Sequence, residues 1–348
     1  MGHCSVPPAE LFPFSTARRT PDGEVAFFLV TSWGHSGSIW LAGSLNLHGD
    51  VCATVGIDNP IECFTLYPMH KDAAAITAAA GDELSAFGFG DRDRPRFAEF
   101  RRSLESRGRT LPARDRDRLP FFVFDELALI PGRYAARGNV HGITLMQAAA
   151  AVRADAGVFR DRAVVVLDLV RHPVSRTESA INATLTYHMD ALGPRIAAWL
   201  DEHAAECLDL ERRYGIDCGD PRVQAVLHVH RQGMQNDLWA GEVRGYPDVE
   251  HLPLERLQCD PSYFAFVFSI LTQGRCVADP AYLERVFSPS NLGAGRQSTA
   301  DGARPAGPRE QYEQWSPFER DEFAATCRRL DAAETYFPLG YDLSFVPA

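Results

Sequence analysis

Short, continuous apolar runs alternate with longer stretches of helical period along the first half of the chain. Residues 25–33 (VAFFLVTSW), 50–57 (DVCATVGI) and 163–170 (AVVVLDLV) predict strands. So do 121–126 (FFVFDE) and 134–142 (YAARGNVHG), each with its exit. Unbroken apolar runs of this length suit strands buried on both faces, the habit of parallel sheets. Helices are predicted from near Ser36, over 71–80 up to Gly81, and over 144–157 up to Gly157. Pro173 ends the 163–170 strand and SRTESAINATLTYHMD continues as helix, with long helices following at about 195–214 and 221–240. The pattern predicts an α/β fold: a central parallel sheet flanked by helices, with a helix-rich second half.

The four prolines among residues 1–24 predict an irregular lead-in, and residues 25–348 then form a single domain. The charge-dense segment 90–118 reads as a solvated helix with loops or as a mobile cover, and 290–308, rich in Gly, Ala and Pro, as a second mobile loop. No apolar run reaches the length of a membrane span, and no secretory leader is legible. Eight scattered cysteines with no Cys-x-x-Cys spacing read as reduced thiols of a cytoplasmic protein. A formal net charge of −11 argues against nucleic acid or a membrane surface as partner. Any anionic ligand must be met by local cations, and these are almost all arginine, because Lys71 is the sole lysine.

Two segments carry candidate chemistry. In WGHSGSIWL (33–41), a strand passes through a Ser-Gly-Ser turn into a helix. Such a turn offers the free N–H groups and positive dipole end of a helix N-terminus to a phosphate. It does not fit the Walker pattern, since His35 stands where a lysine is usual. Taken alone, it is equally well an ordinary turn into a core helix. In LDLVRHPVSRTESAINA (167–183), Arg171 follows a strand and Ser179 falls eight residues later within a helix, a pair suited to a terminal phosphate. Parallel sheets take ligands beyond the carboxyl ends of their strands, the edge on which both segments are predicted to lie. His228 and His230 sit two apart, about 200° around a helix, which argues against a shared metal.

Together, TSWGHSGSIWL and VRHPVSRTES resemble the two cofactor signatures of sulfotransferases that use 3′-phosphoadenosine 5′-phosphosulfate (PAPS). LPLERLQCDPSYF (252–264) and QWSPFERDEF (314–323), followed by LGYDL, are similar to two later stretches of that family in the same order. The resemblance runs from about residue 25 to 343 and implies a P-loop-like sulfotransferase fold. It implies that Ser36, Gly37, Ser38 and Ile39 hold the 5′-phosphosulfate. Trp40 matches a tryptophan that stacks on adenine, with a core residue of the first helix as the plain alternative. Arg171 and Ser179 match the ligands of the 3′-phosphate, and Arg296 and Arg304 are the cations available in the 290–308 loop.

His35 departs from the family's lysine. An imidazolium there would steady the leaving phosphate, which predicts turnover falling as pH rises through its pKa. The base that takes the acceptor's proton is assigned to His141, just after a predicted strand, with Glu126 as second choice. The reaction implied is transfer of a sulfuryl group from PAPS to a hydroxyl of a small-molecule or carbohydrate acceptor, releasing adenosine 3′,5′-bisphosphate, with no metal required. Two alternatives stand beside it: a P-loop nucleotide-dependent kinase, and a nucleotide-binding protein of the same fold whose catalysis is weakened at His35.

Overall fold

A computed structural model describes residues 25–32, 35–55, 134–140, 145, 148, 163–232, 244–245, 249–294 and 307–347. The expected lead-in at 1–24, the 71–80 helix, the 90–118 segment, the 121–126 strand and most of the 144–157 helix lie outside these residues. So do His141, Glu126, Arg296 and Arg304. The chain divides into two compact units: residues 1–170 with 246–298, and residues 171–245 with 299–348. The first-half pattern, read as part of one domain, falls in the first unit.

Among the described residues the first unit holds five parallel strands: β1 (Ala26–Ser32), β2 (Val51–Val55), β3 (Ala136–Val140), β4 (Val164–Val170) and β5 (His251–Pro253), in the order β2-β3-β1-β4-β5. β1 and β4 are buried along their whole length, as their largely apolar composition favours. β3 is buried too although it reads ARGNV. Its Gly138 is in register with Phe28, and a Cβ there would fall 2.2 Å from the Phe28 ring. The neighbouring Arg137 guanidinium lies over Phe27 at 5.1 Å.

Helix α1 (Ser38–Asn46) follows β1 and packs Trp40, Leu41 and Leu45 against Phe28, Val30 and Leu169. The helix begins two residues later than its sequence suggests, because His35 to Gly37 form the turn. Its last residue, Asn46, ties it to β2, the outermost strand among the described residues: the side chain accepts from Ala53 N and donates to Ala53 O, both at 2.8 Å. In a parallel strand alternate residues face alternate neighbours, so Asn46 supplies the bonds a further strand would have made.

After β5 come α6 (Leu254–Cys259), α7 (Pro261–Leu271), α8 (Pro280–Val286) and α9 (Pro289–Ala294), numbered after the helices of the second unit given below that precede β5 in the chain. Phe264 and Phe268 of α7 and Tyr282 of α8 complete the core. Each large apolar side chain so buried contributes about 1.5–3 kcal/mol. The start of the expected 290–308 loop is thus helical; 295–306 lie outside the described residues.

The second unit is helical: α2 (Pro173–Ala183), α3 (Met189–Glu202), α4 (Ala204–Tyr214) and α5 (Pro221–Leu227), then α10 (Pro308–Gln314), α11 (Pro317–Arg329) and α12 (Ala332–Tyr336). Proline at the first helical position opens α2, α5, α10 and α11, where its missing N–H costs nothing. Ser316 and Glu319 form a capping box on α11. Ile181, Cys207, Leu210, Val226 and Phe318 make one apolar cluster, and Val174, Tyr312, Trp315 and Phe323 another. Glu178 of α2 accepts from Trp315 Nε1 at 2.7 Å and pairs with Arg222 at 3.2 Å. Among the described residues no helix is long and apolar enough to cross a membrane.

Candidate functional site

β1 and β4 are neighbours, with Ser32 in register with Leu169. From β1 the chain proceeds to β2, two places to one side; from β4 it proceeds to β5 on the other. Adjacent parallel strands whose connections depart in opposite directions leave a crevice at their carboxyl ends, where such sheets take ligands. The 35–38 turn follows β1 by this edge.

Two residues of that turn are left-handed: His35 at φ 71° and Gly37 at φ 84°. Glycine adopts this region freely, whereas histidine does so at a cost of about 1 kcal/mol or more. Gly37 also has no room for a side chain, since a Cβ would meet the Leu254 methyl carbons at 2.5 and 2.8 Å. It is the N-cap residue of α1; its carbonyl accepts from Leu41 N at 3.1 Å, a glycine offers no side-chain cap of its own, and no acidic residue occupies the first turn. Amides displayed by a left-handed turn at an uncapped helix start form a concavity suited to an anion.

The side chains of the turn are distributed unevenly. Ser36 and Ser38 are buried, and Ile39 is exposed. Trp40 is 2% exposed and packs edge-on against Phe264, its ring centroid 6.1 Å away. Its Nε1 has no hydrogen-bond partner among the described residues. The indole therefore has no open face for a nucleotide base, and the plainer of its two readings, a core residue of the first helix, describes it.

Arg171 and Ser179 belong to the second unit. Arg171 is half-buried and immediately precedes the N-cap of α2, His172. His172 Nδ1 accepts from Val174 N at 3.2 Å, so Nε2 carries the hydrogen and donates to the Asp342 carbonyl, also at 3.2 Å. Ser179 is half-buried further along α2. Between them Arg176 is buried, and its pKa is pushed down to about 10 by burial, with Tyr336 opposing the shift and Arg171 adding to it. Arg176, Thr177, Phe323, Cys327 and Tyr336 line a small cleft; neither Arg171 nor Ser179 does.

His230 is structural. It is buried, its Nδ1 is 3.0 Å from Thr326 Oγ1, and burial, then Arg329 and Arg231, push its pKa down to about 3. His228 instead meets Gln232 at 3.2 Å. Sequence reasoning passed over Leu254, which fills the space beneath Gly37, and Asp168, whose side chain lies between Thr31 and His251. A lone acid inside VVVLDLV was the available signal for Asp168; nothing local marked Leu254.

No family model, no curated protein and no solved structure matches this chain.

Proposed function

We propose that the protein is a PAPS-dependent sulfotransferase that moves a sulfuryl group to a hydroxyl of a small-molecule or carbohydrate acceptor, on a P-loop-like sulfotransferase fold. The observation that carries this reading is the turn at 35–38: left-handed at His35 and Gly37, with glycine as the N-cap, and opening a helix beyond the central strand of a parallel sheet. The resemblance of this segment and of VRHPVSRTES to the family's cofactor signatures supplies the chemical identity of the anion. In this proposal the amides of residues 36–39 bind the 5′-phosphosulfate, and Arg171 and Ser179 bind the 3′-phosphate. His35, as imidazolium, steadies the departing phosphate. Arg296 and Arg304 are the candidate cations for closure over the nucleotide. Trp40 supports the turn from the core instead of stacking on adenine.

A nucleotide-dependent kinase is the second reading, favoured by Asp168, a carboxylate near the end of β4 beside β1. Both its oxygens are already engaged, one by the Thr31 hydroxyl at 2.8 Å and one by His251 at 2.9 Å, which leaves it poorly disposed to hold a magnesium ion.

The test is thermal stabilisation of the full chain by adenosine 3′,5′-bisphosphate against ATP and AMP, followed by an acceptor screen with labelled PAPS. The bisphosphate is expected to stabilise most. Preferential stabilisation by ATP supports the kinase, and bisphosphate binding with no transfer to any acceptor supports a catalytically weakened protein.

A further inference from the structure

Asp168 breaks the composition of its strand. β4 reads VVVLDLV and is buried throughout, and Asp168 is 1% exposed. A carboxylate so placed needs donors, and the strand register provides them. Thr31 of β1 and His251 of β5 stand directly beside it, and residues in register on parallel strands project to the same face. The Thr31 hydroxyl donates to one carboxylate oxygen at 2.8 Å, and His251 Nδ1 lies 2.9 Å from the other. A carboxylate only accepts, so Nδ1 carries the hydrogen, and Nε2 is the ring atom left to take up a proton. The His251 side chain is 6% exposed, and Nε2 has no hydrogen-bond partner among the described residues. A buried acceptor without a donor is costly to maintain, which calls for a ligand group that supplies one. Asp168 stands two residues, and Thr31 one residue, before the carboxyl ends of their strands, close to the ligand edge of the sheet.

We propose that His251 is the proton acceptor of the transfer reaction, with Asp168 and Thr31 as its positioning residues; this rests on the sulfuryl-transfer reading above. The acceptor's hydroxyl oxygen forms the new O–S bond. The S–O bond to the 5′-phosphate breaks, and its electron pair leaves with that phosphate. The hydroxyl proton passes to His251 Nε2, and Asp168 stabilises the imidazolium that results, as the carboxylate does in an acid–histidine pair. A merely structural His–Asp contact predicts no such traffic at Nε2.

His251→Asn separates the two, because its amide can replace the Nδ1–H donor to Asp168 but has no counterpart of Nε2. With bisphosphate binding kept within about twofold of wild type, transfer from labelled PAPS is expected to fall at least about 100-fold in kcat. A loss of less than about tenfold overturns the assignment and returns the role to His141 or Glu126. Should His251→Asn fail to fold, Asp168→Asn serves, with a comparable fall in kcat and little change in KM expected; an unchanged kcat overturns the assignment. Ring-nitrogen NMR of the full chain at pH 8 is expected to find the hydrogen of His251 on Nδ1, and finding it on Nε2 overturns the proposal without reference to any cofactor. Absence of bisphosphate binding by the wild type would remove the sulfuryl-transfer reading and this role with it. Bisphosphate binding with an undiminished His251→Asn removes this role alone.

Discussion

Gly37→Ala tests the central turn most directly, because two separable physical effects oppose the added methyl. The first is conformational. At φ 84° an L-residue is in the left-handed region, which costs alanine about 1–2 kcal/mol relative to the right-handed one. The second is steric. The new Cβ would lie 2.5 and 2.8 Å from the two methyl carbons of Leu254, a side chain only 3% exposed and set in the core. Overpacking of this kind costs about 1–3 kcal/mol when neighbours must shift. The sum, about 2–5 kcal/mol, is to be read from urea unfolding followed by far-UV circular dichroism. Leu254→Ala isolates the parts: in that background only the conformational cost should remain, so the double-mutant cycle should return a coupling of about 1–3 kcal/mol. Gly37→Ala within about 0.5 kcal/mol of wild type would refute the left-handed turn. A full cost with zero coupling would refute the contact with Leu254 and leave the turn intact.

Two further outcomes follow from the same kind of reasoning. His230, held at about 3 by burial first and then by Arg329 and Arg231, stays neutral in the folded chain while the unfolded chain takes up a proton below about 6.5. Its contribution is fully present above about pH 6.5 and is lost as pH falls toward 3, at up to about 1.4 kcal/mol per pH unit. Urea midpoints measured between pH 7.5 and 5 should show this slope, and His230→Gln should remove it; an equal slope in the variant would count against the buried neutral ring. Asn46→Ala deletes two 2.8 Å bonds and strands the Ala53 N–H and C=O at the sheet edge, for a cost of about 2–4 kcal/mol. Hydrogen exchange at the Ala53 amide should quicken in step, and unchanged protection would show that another group covers that edge.

Much of the first unit was legible in the sequence, for a local reason. Strands buried on both faces favour near-continuous apolar runs, so VAFFLVTS and AVVVLDLV announce themselves as β1 and β4. The helix start at Asp220-Pro221 was equally local, since the proline fixes φ and the aspartate side chain caps the first turn. The three-residue β5 went unpredicted because so short a strand has no period of its own; it exists by pairing with Asp168 to Val170. The break at His203 between α3 and α4, within a stretch that reads as one helix, was likewise invisible.

The sequence by itself determined the class of fold, the glycine turn after β1, the scarcity of lysine and the resemblance that names the candidate anion. Tertiary structure decided what those residues do. It sent Trp40 into the core, because the helix face it occupies turns toward Phe264. It made a side chain at position 37 costly through Leu254, more than two hundred positions away. It also gave Asp168 its partners, since only strand order and register set a threonine and a histidine beside it, and hydrogen bonding depends on distance in space, not along the chain.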